Sequence, residues 1–386
     1  MIRTAPAVRT TGIRIAIVAG LAVLGWGVVR NGALAAFAET RPNVAMTFAP
    51  AGGAALANAA QARIVAAGGT ADRVARTQTA LALRRAPRDA APLILAGLAA
   101  SADGAADRAQ ALMEAARGRD PRSGIARYWL LDHYVRTAQS AKALAEVGPA
   151  LRLRPGTRKA IYMLVSAMAA QPETRGAVRG ALARDPDWRE SFLTTQASAN
   201  IDPHGLMRLF ASLPPPADPA AAARERRAVL WSTVRAGAYG EAQALWRAGR
   251  PPVRGDAAPL RDPMFRDAPG DVPFVWNAPS VAGLQRQPGD GLRITYRGDA
   301  PATVAEQLVV GEGRFRLSLH GSGTNVVARL SCVRDEAPLA VAALEGDTVD
   351  AVIPARCGAA WLRIVATPDA GGTVAATVTN VRLTRA

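Results

Sequence analysis

The sequence predicts a multidomain chain, α then β: an N-terminal signal anchor, an α-solenoid of helical hairpins and a C-terminal antiparallel β-sandwich. Three observations carry this reading. Residues 15–29 form an uncharged, mostly apolar run behind Arg3, Arg9 and Arg14. Between residues 84 and 186 the same kind of phrase closes four successive segments, at Pro87, Pro121, Pro155 and Pro186, in steps of 34, 34 and 31 residues. From residue 273 onward the apolar period changes from helical to two.

The composition is that of folded domains. The chain has 386 residues, enough for two substantial cores, with 49% hydrophobic and 20% charged residues. Its formal net charge is +16, yet Lys142 and Lys159 are its only lysines, so arginine carries almost all the positive charge. An Ala-, Arg-, Gly- and Pro-rich chain of this kind also reflects a GC-rich coding genome.

No acid appears before Glu39, so the positive-inside rule puts residues 1–12 in the cytoplasm as a short tail. Residues 13–30 then read as a transmembrane signal anchor of about the minimum spanning length, with Arg14 snorkelling and Arg30 at the far interface. A cleaved signal peptide is the competing reading, because Ala36, Phe37 and Ala38 form an A-x-A site, although Arg30 makes the preceding segment long and charged. Either reading exports the rest of the chain. A single-pass protein of a bacterial inner membrane with its bulk in the periplasm is the expected location. Residues 31–53, with Pro42, Pro50, Gly52 and Gly53, read as a tether.

Residues 54–249 carry the helical repeats. Small residues belong where two helices cross closely, and Pro stops the second helix of each pair. In the unit ending at Pro121, Gly97, Ala109 and Ala116 take the small positions, with Leu93 and Met113 at the large ones. In the unit ending at Pro155 the equivalent residues are Leu130, Tyr134, Ala143, Val147 and Ala150. The unit ending at Pro87 keeps Ala75 and Ala82, and the one ending at Pro186 has lost three residues from its turn. Period and residue types resemble the tetratricopeptide repeat, whose hairpins bury their apolar faces only by stacking on neighbours. After the proline run at 214–216, residues 220–248 read as one more pair, with 237–242 as its turn and Trp246 on its second helix.

Residues 250–271 read as an interdomain linker rich in Pro, Gly, Asp and Arg. Residues 272–386 read as about nine short strands. Leu292, Ile294 and Tyr296 alternate with polar residues, as do Phe315, Leu317 and Leu319; further strands are expected at 304–310, 325–333, 348–353, 361–367 and 373–383. A change of phase between Val378 and Val381 predicts a bulge near Asn380. Cys332 and Cys357 are the only cysteines, and in an exported domain such a pair reads as a disulfide in preference to two free thiols. His133, His204 and His320 lack ligand spacing to them, so no metal site is expected.

A tether, degenerate hairpin units, an opening F-x-W at 274–276, a closing strand at 378–383 and paired cysteines together resemble bacterial membrane-anchored proteins of envelope or exopolysaccharide gene clusters. The β-domain in turn looks like a carbohydrate-binding-module jelly roll. The resemblance implies a role in polysaccharide polymerisation, modification or export, and it brings no catalytic residue with it.

The residue inventory points away from an enzyme. There is no P-loop, since neither lysine follows a glycine, no G-x-S-x-G and no H-E-x-x-H; the glycines at 311 and 313 read as a hairpin turn. No cofactor is expected. Residues 271–386 hold 11 Arg and 11 Asp plus Glu, so the whole net positive charge lies before them, on the anchor and the helical part. An acidic polysaccharide, anionic lipid or an acidic protein would suit such a surface, and export makes nucleic acid a poor partner. The function expected is a non-catalytic scaffold that recruits envelope proteins for polysaccharide synthesis or export. The alternative is a glycan-binding protein, for which Trp276, Tyr296 and Trp361 are the candidate stacking residues.

Overall fold

The computed structural model describes residues 52–248, 258–267, 273–281, 284–289, 291–335, 337–369 and 372–386, with isolated positions between 24 and 47. The tail expected at 1–12, and most of the anchor at 13–30 and the tether at 31–53, lie outside the described residues. Among the described residues no helix is long and apolar enough to cross a membrane. The architecture is a helical part with twelve α-helices among the described residues, followed by C-terminal antiparallel sheets. The chain divides into two compact units, residues 1–165 and 166–386.

In the first unit the described helices are α1 (Gly53–Ala66), α2 (Arg73–Arg85), α3 (Ala90–Ala102), α4 (Ala106–Arg119), α5 (Gly124–Arg136) and α6 (Ser140–Leu153); α7 (Arg158–Ala170) runs across the boundary. Successive helices pack as hairpins, α1 with α2, α3 with α4 and α5 with α6. Caps set the starts. The Asp72 carboxylate accepts from the Ala75 amide at 2.8 Å, and the Ser123 hydroxyl accepts from Ala126. The small residues lie where helices cross. A Cβ on Gly97 would come within 3.1 Å of the Met113 side chain, and Ala109, Met113 and Ala116 are all completely buried. Tyr134, Ala143, Val147 and Ala150 are buried in the next hairpin, while Pro121 and Pro155 are exposed just beyond the ends of α4 and α6.

The second unit holds α8 (Pro172–Ala183), α9 (Arg189–Ala199), α10 (Pro203–Ala211), α11 (Pro219–Arg235), α12 (Tyr239–Ala248) and the two sheets. One sheet has five strands in the order β1 (Leu284–Gly289), β2 (Gly291–Tyr296), β9 (Val374–Arg385), β4 (Gly313–Gly323) and β7 (Val349–Ile353). The other runs β3 (Ala302–Val310), β8 (Ala359–Ala366), β5 (Val326–Cys332) and β6 (Pro338–Ala343). Alternate residues of both sheets enter one hydrophobic cluster, among them Ile294, Phe315, Leu317 and Val378 from the first and Val304, Ala328, Leu330 and Leu362 from the second. Opposite His320 the register slips, leaving Thr379 as the extra residue of β9, one position from where the sequence places the bulge.

Two expectations about the junction are corrected. Leu260 and Phe265, inside the segment read as a linker, are buried in the core of the sheets, and the Asp262 carboxylate caps the amides of Arg266 and Asp267. Residues 273–275 form a turn and Trp276 lies outside any strand, in place of the opening strand expected at 274–276; only Asn277 makes a bridge there, to Glu306. The reason is aromatic packing, because Phe265 stacks on Trp276 at 4.7 Å while Phe274 turns toward Trp246 at 5.4 Å.

Cys332 and Cys357 form a disulfide with a Cα separation of 5.4 Å, joining the end of β5 to the turn before β8. Closing a 25-residue loop in the unfolded chain is worth roughly 3–4 kcal/mol in the chain-entropy model. The Cys332→Ala/Cys357→Ala double variant is therefore expected to lose about that much on guanidine unfolding of the sheet domain. A loss below about 1 kcal/mol would mean that the reduced domain already restricts this loop.

Candidate functional site

The three aromatic residues proposed to stack on sugars are all in the interior. Trp276 is 5% exposed, Tyr296 5% and Trp361 7%. Trp276 also donates its indole N–H to the Asp262 carbonyl at 2.8 Å, and the Tyr296 hydroxyl donates to the Ala300 carbonyl at 2.8 Å. Trp361 lies on the outer face of the four-stranded sheet, but α11 and α12 cover it. Its ring stacks against Trp231 with centroids 6.0 Å apart, and Leu230, Val234, Tyr239, Ala242, Trp246, Phe274, Leu308 and Ala359 complete the cluster. No ring face of the three is presented to a saccharide. The physical reason is that the last helical hairpin needs a partner for its apolar stripe, and this sheet face supplies one.

The turn between α11 and α12 fits the sheet domain closely. Gly237 has φ +84°, and a Cβ there would clash with the Arg334 guanidinium on the loop just after Cys332. Gly358, next to Cys357, has φ +64° and lies against the Tyr239 ring. Both half-cystines therefore neighbour the loops on which the hairpin rests.

The outer face of the five-stranded sheet is polar. Arg293 on β2, Thr377 and Arg382 on β9, Arg314, Arg316, Ser318 and His320 on β4, and Asp350 on β7 alternate with core residues. Register sets Ser318 opposite Arg382 and Arg316 between Thr384 and Asp350. His320 Nε2 lies 3.1 Å from the Ser318 hydroxyl, so the two share a hydrogen bond on a face with four arginines and one acid. Such a face can meet hydroxyls and carboxylates through hydrogen bonds, without aromatic stacking.

In the first unit the polar chemistry is concentrated between α4, α5 and α6. Glu146 is buried and bridges Arg117 and Arg127, the latter at 2.6 Å. The Tyr134 hydroxyl donates to Glu114 at 2.6 Å and holds its carboxyl below the usual carboxylate range, with help from Gln110 and Lys142 against the opposing effect of burial. His133 meets the Gln110 side-chain oxygen at 3.0 Å under the Trp129 ring. These groups satisfy one another across three helices. They make a structural network, since each has its partner within the protein.

The two ends of these hairpins differ in charge. At the turns inside hairpins three arginines are matched by acids, Arg63 with Asp72, Arg76 with Asp103 and Arg136 with Asp132, and Arg73, Arg108 and Lys142 are exposed beside them. At the turns between hairpins, nine exposed basic residues gather, namely Arg84, Arg85, Arg88, Arg119, Arg122, Arg152, Arg154, Arg158 and Lys159. Asp89 and Asp120 are the acids among them, and Asp120 is engaged by the Arg122 amide at 2.9 Å. Sequence reading assigned the charge to the helical array without placing it. The signal was present, because the Pro-terminated phrases that mark the repeat are themselves the basic turns.

Among the described residues no group of His, Cys, Asp and Glu is arranged to hold a metal ion. Compared with protein-family models and with curated proteins, the chain finds no match in either.

Proposed function

We propose that this chain is a non-catalytic scaffold of the bacterial cell envelope, anchored by residues 13–30 in the inner membrane and facing the periplasm. Its helical part acts as a tetratricopeptide-like solenoid that recruits proteins of polysaccharide synthesis or export. Its sheets act as a carbohydrate-binding-like sandwich of jelly-roll type. The observation that supports this best is the run of hairpins that leaves apolar side chains in water on the first helix of successive pairs. Leu98 on α3 is 36% exposed and Ile125 on α5 is 50% exposed. Helical repeats present such residues to bound segments.

The test is site-specific photo-crosslinking in native envelopes, with the crosslinker at Leu98, at Ile125 and, on the polar sheet face, at Val352, which is 53% exposed. Discrete protein adducts at the two helical positions are the expected result. Adducts only at Val352, and to polysaccharide, would replace the scaffold reading by glycan binding. That second reading keeps the arginine-rich outer face of the five-stranded sheet in its favour, with Arg293, Arg316 and Arg382 as contacts for an acidic glycan in place of buried Trp276, Tyr296 and Trp361.

A further inference from the structure

We propose that the basic end of the first helical unit is a membrane-facing surface, which rests against the anionic phospholipid headgroups of the bilayer that carries the anchor. The inference rests on the anchor reading above and adds an orientation to it. Consecutive antiparallel helices alternate ends, so the turns 86–89, 120–123 and 154–157 share one end of the unit and the turns 67–72, 103–105 and 137–139 share the other.

The chain enters α1 at the basic end. Gly53, the first residue of α1, sits so close to Ala86 of the first basic turn that a Cβ on it would collide there. The chain connection from the apolar run therefore reaches the hairpins at the end that carries the nine basic side chains. Twenty-two residues separate Arg30 from Gly53, a span whose reach of at most about 75 Å leaves this end free to touch the bilayer. Tethering holds the patch at high effective concentration beside the surface, and each basic side chain near anionic lipid adds attraction.

Helix dipoles do not account for the pattern. Arginines in the last turns of α2, α4 and α6 are favoured by the negative C-terminal ends. The same principle calls for acids at the adjoining N-termini, where Asp89 stands at the N-cap of α3, yet α5 and α7 have none in their first turns, and α7 begins with Arg158 and Lys159. Arginine-rich composition does not account for it either, because the other end, with Arg63, Arg73, Arg76, Arg108, Arg136 and Lys142, also carries Asp72, Asp103, Asp107 and Asp132.

The experiment uses the full chain reconstituted in nanodiscs of phosphatidylcholine alone or mixed with phosphatidylglycerol, read by amide hydrogen exchange. Residues 84–89, 119–123 and 152–159 are expected to exchange about tenfold more slowly in the phosphatidylglycerol discs, an effect lost at high salt. The Arg84→Gln/Arg85→Gln/Arg88→Gln variant, all at exposed positions, is expected to keep its helical circular dichroism and lose protection in the first turn. Insertion with equal exchange in both discs, or protection at 67–72, 103–105 and 137–139, overturns the proposal alone. Failure of the chain to enter discs overturns the anchor reading and the proposal with it. Protection in neutral discs by an added polyuronate, with none from phosphatidylglycerol, would assign the surface to acidic glycan and overturn the lipid assignment.

Discussion

Replacing Trp361 with alanine is expected to destabilise the second unit by about 3–5 kcal/mol, the range for removing a buried large aromatic. The ring is 7% exposed, stacks on Trp231 and has the Arg363 guanidinium 5.9 Å above it. Its loss empties the centre of the contact between α11, α12 and the four-stranded sheet. The amides of α11 and α12 are then expected to exchange faster than those of β4 and β9, because the hairpin loses its support while the core between the sheets stays intact. Denaturant unfolding together with hydrogen exchange measures both. A change within about 0.5 kcal/mol, accompanied by weaker saccharide binding, would return Trp361 to the role of a sugar platform, since exposed side chains tolerate truncation at that level.

Glu225→Ala is expected to cost a similar amount, about 3–5 kcal/mol, by stranding a buried guanidinium. Arg189 is 1% exposed and makes a two-pronged contact with Glu225, at 3.1 Å through Nε and 2.9 Å through Nη2. It also donates to the carbonyls of Leu182 and Pro214, so one side chain fastens α8, the proline run and α9 to α11. Burial pushes the Glu225 carboxyl up, and Arg189 opposes that shift. The double variant Arg189→Met/Glu225→Leu removes both charges and is expected to recover most of the loss, because apolar residues of similar volume replace a buried pair at little cost. A double-mutant cycle on the helical unfolding transition reads the difference. Equal destabilisation in the single and double variants would mean that the backbone bonds to Leu182 and Pro214 matter more than the ion pair.

Much of the helical part was legible. Proline spacing located the hairpin ends, and Gly97, Ala109 and Ala116 marked the crossing points, since these features act within one or two turns of chain. Strands β2, β4 and β9 were legible for the same reason: with one face in the core and the other polar, apolar and polar residues alternate along them. Two strands were not. β1 contains Pro288 and β6 begins at Pro338, and both are at sheet edges, where half the backbone groups need no partner and sequence constraints relax. The buried pair Arg189 and Glu225 was equally invisible, because its members are 36 residues apart and each reads as a solvated charge.

Sequence alone determined the α-then-β order, the repeat period, the cysteine pair and the confinement of the net charge to the part before the sheets. These follow from local composition and periodicity. Only the tertiary structure decided that the supposed linker contributes Leu260 and Phe265 to the sheet core, that Trp361 faces a helix and not water, and that nine basic residues share one end of a unit. Each depends on which surface another segment covers. A pattern along one segment specifies that an apolar face must be buried, but the partner that buries it is chosen by shape and chain connection across distances the pattern does not encode.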